Sequence, residues 1–515
     1  MSRLAIIRPY SHILSGCLIT KRPSRFIRKF GSQTVKTAAE TGKFSLTLST
    51  KTSKQSVINE LNHYLIESAK TPIAVGEDND IDNGAAIFAS RDFASWLEDE
   101  SFVSSILGSL FKPSQGTSKH IDILCAVTDG LTPEQLFSEP RTGFSILYGS
   151  ANKILPDLWN HDEFGSGTDQ DREASVSFLP NPLPKDLRPL EITLPLANTV
   201  FQTGKRSTLF ASRWQFTPNG SMTRTMMHEK RVQKIQPDPN SSGHTIPCIP
   251  LLPLTRPRKI VAGLGNIVRQ VEVNGSPTPA SKELEGLIPK VFDTRSKRDE
   301  SYVPGPIGVW CWIIHPHLVN MQGILDLKIF EPDSSLSEAE LSLEAMDLFS
   351  TLISSGCRAH KILSGGGGWG AKQGLLSLDP ETNYSLPDQD DVEMFIKAFQ
   401  ERNNPNQSQG LVMPGTYLMF CIEPHWTEKE IRSSQKMTPA TVVGVAPNQD
   451  EELNPTGLSD NIEVIADHFG VVSKAGLFLR ASTLPLTESS TIEGSAEPPH
   501  AFTTKVDLPR TSFIL

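Results

Sequence analysis

Ile121-Asp122-Ile123-Leu124-Cys125-Ala126-Val127 is the stretch on which the fold class turns. A short apolar run with one polar member, closed by the turn signal Thr128-Asp129-Gly130, reads as a strand of the buried type. Phe144 to Tyr148, ending in Gly149-Ser150, repeats the pattern. Ahead of both, Phe44 to Leu48 reads as a strand. Thr52-Ser53-Lys54-Gln55 follows as a capping box opening a helix, with Val57, Ile58, Leu61 and Leu65 on its apolar face. Beyond the acidic loop Gly76-Glu77-Asp78-Asn79-Asp80, a second helical stretch runs around Phe93 to Phe111 and stops at Lys112-Pro113-Ser114-Gln115-Gly116. The order β-α-α-β-loop-β favours an α/β layer arrangement, with mixed α+β as the alternative.

From Ser175 the elements shorten. Val176 to Leu179, Ile192 to Leu194, Thr199 to Phe201 and Thr208 to Phe216 read as strands. Gln202-Thr203-Gly204-Lys205-Arg206 forms a hairpin-like turn between the last two. Residues 217–245 are polar and irregular, with Pro218-Asn219-Gly220 at one end and Pro237-Asp238-Pro239-Asn240 at the other, and are expected to be a linker or lid. Gly308 to His315 and Leu325 to Ile329 read as strands. Ser337-x-x-Glu340 is a capping box, followed by apolar Ala339, Leu343, Met346, Phe349 and Ile353, with Gly356 as the stop. A helix over Asp391 to Arg402 and a strand over Tyr417 to Ile422 complete the pattern. The expected organisation is two packed subdomains with mixed sheets and helices, residues 40–216 and 246–484. Gln449 to Asn461 is an acidic loop, and residues 485–515 are a partly disordered tail.

The amino terminus carries an address. Up to Gln33 there is no Asp or Glu, while Arg3, Arg8, Lys21, Arg22, Arg25, Arg28 and Lys29 alternate with serines and with apolar residues such as Leu4, Ile6, Ile13 and Phe26. This basic, Ser-rich, acid-poor start has the composition of a mitochondrial transit peptide. Arg28-Lys29-Phe30 before Gly31-Ser32 resembles a processing site, so residues 1–30 are expected to be removed in the matrix.

Of 515 residues, 38% are hydrophobic and 21% charged, enough for a core and for two or three domains, while 38 Pro and 36 Gly imply many loops. No apolar run approaches the roughly 20 residues that span a bilayer, so the mature chain is read as soluble or at most peripheral. Loss of the seven presequence cations takes the formal charge from −9 to −16. So acidic a chain is a poor generic nucleic-acid binder, though a local basic patch could still hold RNA. The six cysteines, Cys17, Cys125, Cys248, Cys311, Cys357 and Cys421, form no C-x-x-C and lie mostly in apolar runs, the pattern of reduced core residues.

One stretch has the composition of a site: Lys361, then Ser364-Gly365-Gly366-Gly367-Gly368-Trp369-Gly370-Ala371-Lys372. Consecutive glycines can turn their N–H groups into an anion-binding nest, with Lys361 or Lys372 adding charge. Its spacing is not that of a Walker A loop, because Lys372 comes one place late and no Ser or Thr follows it. The run resembles the glycine-rich ATP loop of ATP-grasp enzymes, where a Lys precedes three or four Gly. That resemblance implies ATP or another phosphate ligand on Lys361, Gly365, Gly366, Gly367, Gly368, Gly370 and Lys372. Of the family's paired metal carboxylates, Glu423 is one isolated candidate.

Two basic patches, Arg224-Lys230-Arg231 and Arg256-Arg258-Lys259, are candidate RNA or partner contacts; Gly263-x-Gly265 after the second lacks the third glycine of a dinucleotide fingerprint. His315-Pro316-His317 places two imidazoles on one side of a strand end without a third metal ligand, and Glu423-Pro424-His425-Trp426 ends another strand. No complete Ser/His/Asp or Cys/His set can be assembled. The opening strand and helix, Ile121 to Gly130 and Ser145-Ile-Leu-Tyr-Gly149-Ser150-Ala151 together resemble the layout of FIST sensory domains. Three functions follow as expectations. The leading one is a non-enzymatic matrix factor supporting organelle gene expression or respiratory-complex assembly through protein or RNA contacts. The others are an ATP-dependent enzyme built on the Gly365–Gly370 loop and a small-ligand sensory module.

Overall fold

In the computed structural model, the strand His120–Thr128 stands third in a seven-stranded sheet. The order across the sheet is Met222–Glu229, Leu209–Phe216, His120–Thr128, Asn83–Ser90, Gly143–Ser150, Gly42–Thr47 and Glu463–Ala466. Asn83–Ser90 and His120–Thr128 run parallel, and the other neighbours run antiparallel. The described residues are 41–68, 73–75, 83–113, 120–160, 174–179, 190–217, 219–239, 245–300, 302–365, 374–382, 412–437, 440–447, 462–481 and 502–515. The presequence, the helix expected over Asp391 to Arg402, the Gln449–Asn461 loop and most of the glycine run lie outside them. Among the described residues, no helix is long and apolar enough to cross a membrane.

The sheet's strands are apolar on both faces because both are covered. Ile87, Ile123, Cys125 and Ile146 pack beneath Val57 and Leu61 of one helix and Phe102, Val103 and Ile106 of another. Phe88, Leu124 and Leu147, on the opposite face, meet Val176, Phe178, Ile192, Val443, Phe469 and Leu479 from two smaller sheets. One of these holds Val232–Ile235, Ser175–Phe178, Leu190–Pro195, Leu477–Ala481 and Phe502–Val506. The other holds Ile246–Cys248, Ser512–Ile514, Ala440–Val445 and His468–Ser473, the last two being parallel. The fold is thus mixed α/β, and from Thr41 to Leu515 the chain clusters as one compact unit.

A second structure is a ring. Val309–Ile314 pairs with both Arg358–Gly365 and Tyr417–Ile422. From there the ladder passes through Arg258–Leu264, Ile267–Val273 and Leu376–Leu378 back to Arg358–Gly365. Ile260, Val268, Cys311, Ile313, Ile362, Leu376, Leu418 and Phe420 meet in one cluster. Since all six strands contribute to it, this cluster is the ring's interior. The alternate residues Trp310, Trp312 and Met419 face outward onto the helix Glu338–Ser354, where Trp312 stacks on Phe349 at 5.3 Å.

Local signals hold where the chain's own hydrogen bonds decide them. Ser337 and Glu340 form the reciprocal capping box, and Gly356 takes a φ of 85° beyond the helix end. The first helix is capped one residue later than expected, by Ser53, whose hydroxyl accepts from the Ser56 amide. The stretch around Phe93 to Phe111 is broken at Asp99, whose carboxylate caps Glu100–Leu110 through the Ser101 and Phe102 amides.

Three readings are corrected. Thr199 to Phe201 is no strand; Val200–Thr203 is a single helical turn ended by Gly204 at φ 75°. Leu325 to Ile329 carries no ladder, because the short helix Gln322–Leu325 ends there and Arg256 caps the carbonyls of Ile324 and Leu325. The expected linker over 217–245 contains two strands, Met222–Glu229 and Val232–Ile235. The first lies at a sheet edge and is mostly exposed beyond Met222, so its composition is polar without being irregular. Phe502–Val506 and Ser512–Ile514, within the expected tail, join two sheets.

Candidate functional site

Of the glycine-run residues, Lys361 and Gly365 are described. Gly365 pairs with Leu376, so the run joins two antiparallel strands, and the Lys361 ammonium lies 5.7 Å from the Trp310 ring centre. Gly366, Gly367, Gly368, Gly370 and Lys372 fall outside the described residues.

The basic patches are largely engaged within the molecule. Arg258 grips Glu283 through two contacts of 2.7 and 3.1 Å, Arg256 caps a helix, and Lys230 donates to the carbonyls of Leu158 and Asn160. Arg224 faces Glu100 at 3.6 Å, Arg231 has a contact of its own, and Lys259 is exposed. Gly263 and Gly265 belong to a hairpin, with Gly265 at φ 64° in its turn. His315 and His317 stack at 5.7 Å, and no metal-ligating cluster occurs among the described residues. Cys125, Cys248, Cys311, Cys357 and Cys421 are buried and form no disulfide among the described residues. Burial pushes the Cys125 thiol up to about 12 and Cys357 to about 11, which suits core residues and not nucleophiles.

The site that the structure assembles lies elsewhere. Thr132, Pro133, Phe137, Met437, Val445 and Arg510 are among the residues lining a shallow, open cleft. Its wall includes Gly444 and Val472, near the carboxyl ends of the parallel strands Ala440–Val445 and His468–Ser473. Ends of this kind are where α/β sheets place ligands. The remaining wall comes from the loop after His120–Thr128 and from the link between the last two strands.

Two marks separate this cleft from an ordinary surface fold. Five non-glycine residues among those described have φ in the left-handed region. Asp157, Asn274 and Asp467 are types that tolerate it; Phe137 at 66° and Arg510 at 63° are not, and both line the cleft. Such backbone costs on the order of 1–3 kcal/mol and collects at functional sites. The second mark is unsatisfied polarity. Arg510 and Thr511 line the cleft, and Arg510 Nε and Thr511 Oγ1 are buried without a hydrogen-bond partner. Trp426 Nε1 is unpartnered too, on a ring stacked against Phe137 at 4.4 Å. Buried polar atoms are otherwise almost always paired.

Charge decides what could complete them. Arg510 donates to Glu423 at 3.0 Å and to Glu139, so its positive charge is already matched, and its buried Nε–H has no partner. Burial raises the Glu423 carboxyl above the ordinary range, against the pull of Arg510 and Arg295. The vacant donor therefore suits an uncharged oxygen acceptor and not another carboxylate.

Behind the cleft, Thr132 wedges between strands at two glycines. A Cβ on Gly470 would lie 1.9 Å from its hydroxyl, and one on Gly444 would lie 3.2 Å from its methyl. Thr132 Oγ1 meets His468 Nε2 at 3.4 Å. His468 Nδ1 contacts Ser45 at 2.9 Å, Ser45 contacts Ser145 at 2.8 Å, and Ser145 donates to the Gly470 carbonyl at 2.7 Å. Because Ser145 spends its proton on that carbonyl, Ser45 donates to Ser145 and His468 donates from Nδ1. Burial lowers the His468 pKa to about 4, so the ring is neutral at pH 7.

Sequence reading missed this site because Arg510 and Thr511 lie in the expected tail, and Phe137 in a loop without a motif. The Pro-rich stretch Pro133 to Pro140 was its faint signal. Compared with known families, curated proteins and solved structures, the chain matches none.

Proposed function

We propose that this protein is a small-ligand-binding module of the mitochondrial matrix that takes a small, uncharged, oxygen-bearing apolar molecule in the cleft at Arg510. One observation carries the reading: Arg510 and Thr511, whose Nε and Oγ1 are buried and unpartnered, line a cleft at which Phe137 and Arg510 take left-handed backbone conformation. Phe137, Met437, Val445 and Val472 supply apolar contact, and the two polar atoms supply direction. The matrix location rests on the acid-free basic amino terminus.

Acetophenone and benzoate, similar in shape and different in charge, test the cleft by ligand-observed NMR. Acetophenone should give a saturation-transfer signal that Arg510→Gln removes, with benzoate weaker. Equal signals from wild type and variant would refute the reading. Amino-terminal sequencing of the mature protein tests the address, and a start at Met1 or Ser2 would refute it.

The competing readings have less support. The RNA-contact reading loses weight because Arg256, Arg258 and Lys230 are committed to internal partners. The ATP reading rests on the glycine run alone, and titration with ATP, ADP and phosphate on wild type and Lys372→Ala tests it.

A further inference from the structure

The strand Arg358–Gly365 carries two groups that the rest of the protein leaves unfinished, well away in sequence from the cleft. Arg358 is paired with Ile313 and His360 with Cys311. Directly opposed residues of an antiparallel pair share a face. Since Ile313 and Cys311 belong to the interior cluster of the six-stranded ring, Arg358 and His360 lie on the interior side too. His315, two residues beyond Ile313, continues the same alternation at the strand end.

The chemistry of the two groups is complementary. His360 is 3% exposed, and its Nδ1 lies 3.1 Å from the carbonyl oxygen of Asp379. A carbonyl can only accept, so Nδ1 carries the proton and Nε2 presents a bare lone pair. Nε2 has no hydrogen-bond partner. Burial and the nearby Arg358 charge depress the His360 pKa to about 4, which keeps that lone pair available at neutral pH. Arg358, partly buried, has no ion pair or hydrogen bond among the described residues, and burial lowers its pKa with no carboxylate opposing the shift. Its neighbours His315 and His317 add no negative charge, and the Asp379 carboxylate is engaged by Lys505 at 3.3 Å. A half-buried cation without a counter-ion and a buried acceptor without a donor are each costly alone.

We propose that this end of the ring binds a proton-bearing oxyanion, hydrogenphosphate or the monoanion of a phosphate monoester, with Arg358 donating to its oxygens and its own P–OH donating to His360 Nε2. Sulfate, of similar size and charge, carries no proton at pH 7 and would set a lone pair against Nε2. A phosphodiester is excluded on the same ground. The class differs from the uncharged ligand assigned to the cleft, and neither assignment depends on the other.

Isothermal titration of the full chain with inorganic phosphate and with sulfate, at pH 7 and matched ionic strength, tests this. Phosphate should bind at least about tenfold more tightly than sulfate, the consequence of one unmet buried hydrogen bond. Arg358→Gln should abolish phosphate binding. His360→Leu should leave phosphate and sulfate binding equally, and Arg510→Gln should change neither. Phosphorus NMR line broadening on wild type and Arg358→Gln supplies a second readout if His360→Leu fails to fold. Absence of phosphate heat at millimolar concentration would overturn the proposal. So would equal binding of sulfate to the wild type, displacement of phosphate by an RNA oligonucleotide, or unchanged binding in Arg358→Gln.

Discussion

Arg295 and Arg510 both reach Glu423, and they do so in opposite states of completion. Arg295 donates to the Glu423 carbonyl at 2.8 Å and holds Glu338 through contacts of 2.7 and 2.9 Å, with both side chains under 10% exposed. Glu338 accepts in addition from the His425 amide at 2.9 Å. Burial alone would lower the Arg295 pKa, but Glu338 turns the balance upward. Arg510 donates to the Glu423 carboxylate, sits in a left-handed backbone conformation and keeps Nε unpaired. The first arginine is a finished structural joint; the second is an unfinished one beside open space. Completion of the hydrogen-bond inventory, more than charge or burial, is what separates the two arginines.

The largest expected effect falls on the finished joint. Arg295→Met should cost about 3–5 kcal/mol, because Glu338 stays buried and charged with most of its partners gone. Urea unfolding measures this, and a loss below about 1 kcal/mol would erase the contrast with Arg510.

Next comes acid sensitivity at the relay behind the cleft. His468 has a folded pKa of about 4 against an ordinary 6.5. The unfolded chain therefore takes up a proton first as pH falls, and stability drops between about pH 6.5 and 4. The contribution of this ring is at most about 3 kcal/mol, and it levels off below the folded value. His360, lowered likewise to about 4, adds a loss of the same sign. Unfolding series at pH 7, 5.5 and 4.5 on wild type and His468→Gln should show a flatter profile for the variant; parallel profiles would mean that His468 is not held neutral.

A smaller effect is expected at the wedge. Gly470→Ala should cost about 1–3 kcal/mol by driving a methyl into the Thr132 hydroxyl, with the melting temperature falling accordingly. An unchanged melting temperature would show that Thr132 can step aside. The smallest effect sharpens the comparison most. Arg510→Gly removes two partly exposed ion pairs but relieves the left-handed backbone, so stability should stay within about 1 kcal/mol while acetophenone binding disappears. A loss as large as that of Arg295→Met would make both arginines structural.

Legibility followed the range of the interactions involved. Tyr417–Ile422 has the bounds that its apolar run gave, and the Ser337 box with Gly356 is realised hydrogen bond for hydrogen bond, since cap, box and stop act within a few residues. Met222–Glu229 was unreadable as a strand because an edge strand needs no apolar alternation, and its partner Leu209–Phe216 alone makes it one. Leu325 to Ile329 had the composition of a strand and no neighbour to pair with. At the cleft, Phe137 lies hundreds of residues from Val472 and Arg510, with no spacing that a motif could record.

The sequence by itself determined the mixed α/β class, the helix over 338–354 and its caps, the buried reduced state of Cys125 and Cys311, and the acid-free amino terminus. These depend on local periodicity, capping chemistry and composition. Only the tertiary structure decided that six strands close a ring, that Arg510 Nε and Thr511 Oγ1 go unpaired beside Phe137, and that Arg358 and His360 share an interior face. Pairing is a sum over the whole molecule: whether a polar atom has found its partner depends on every segment that could have supplied one.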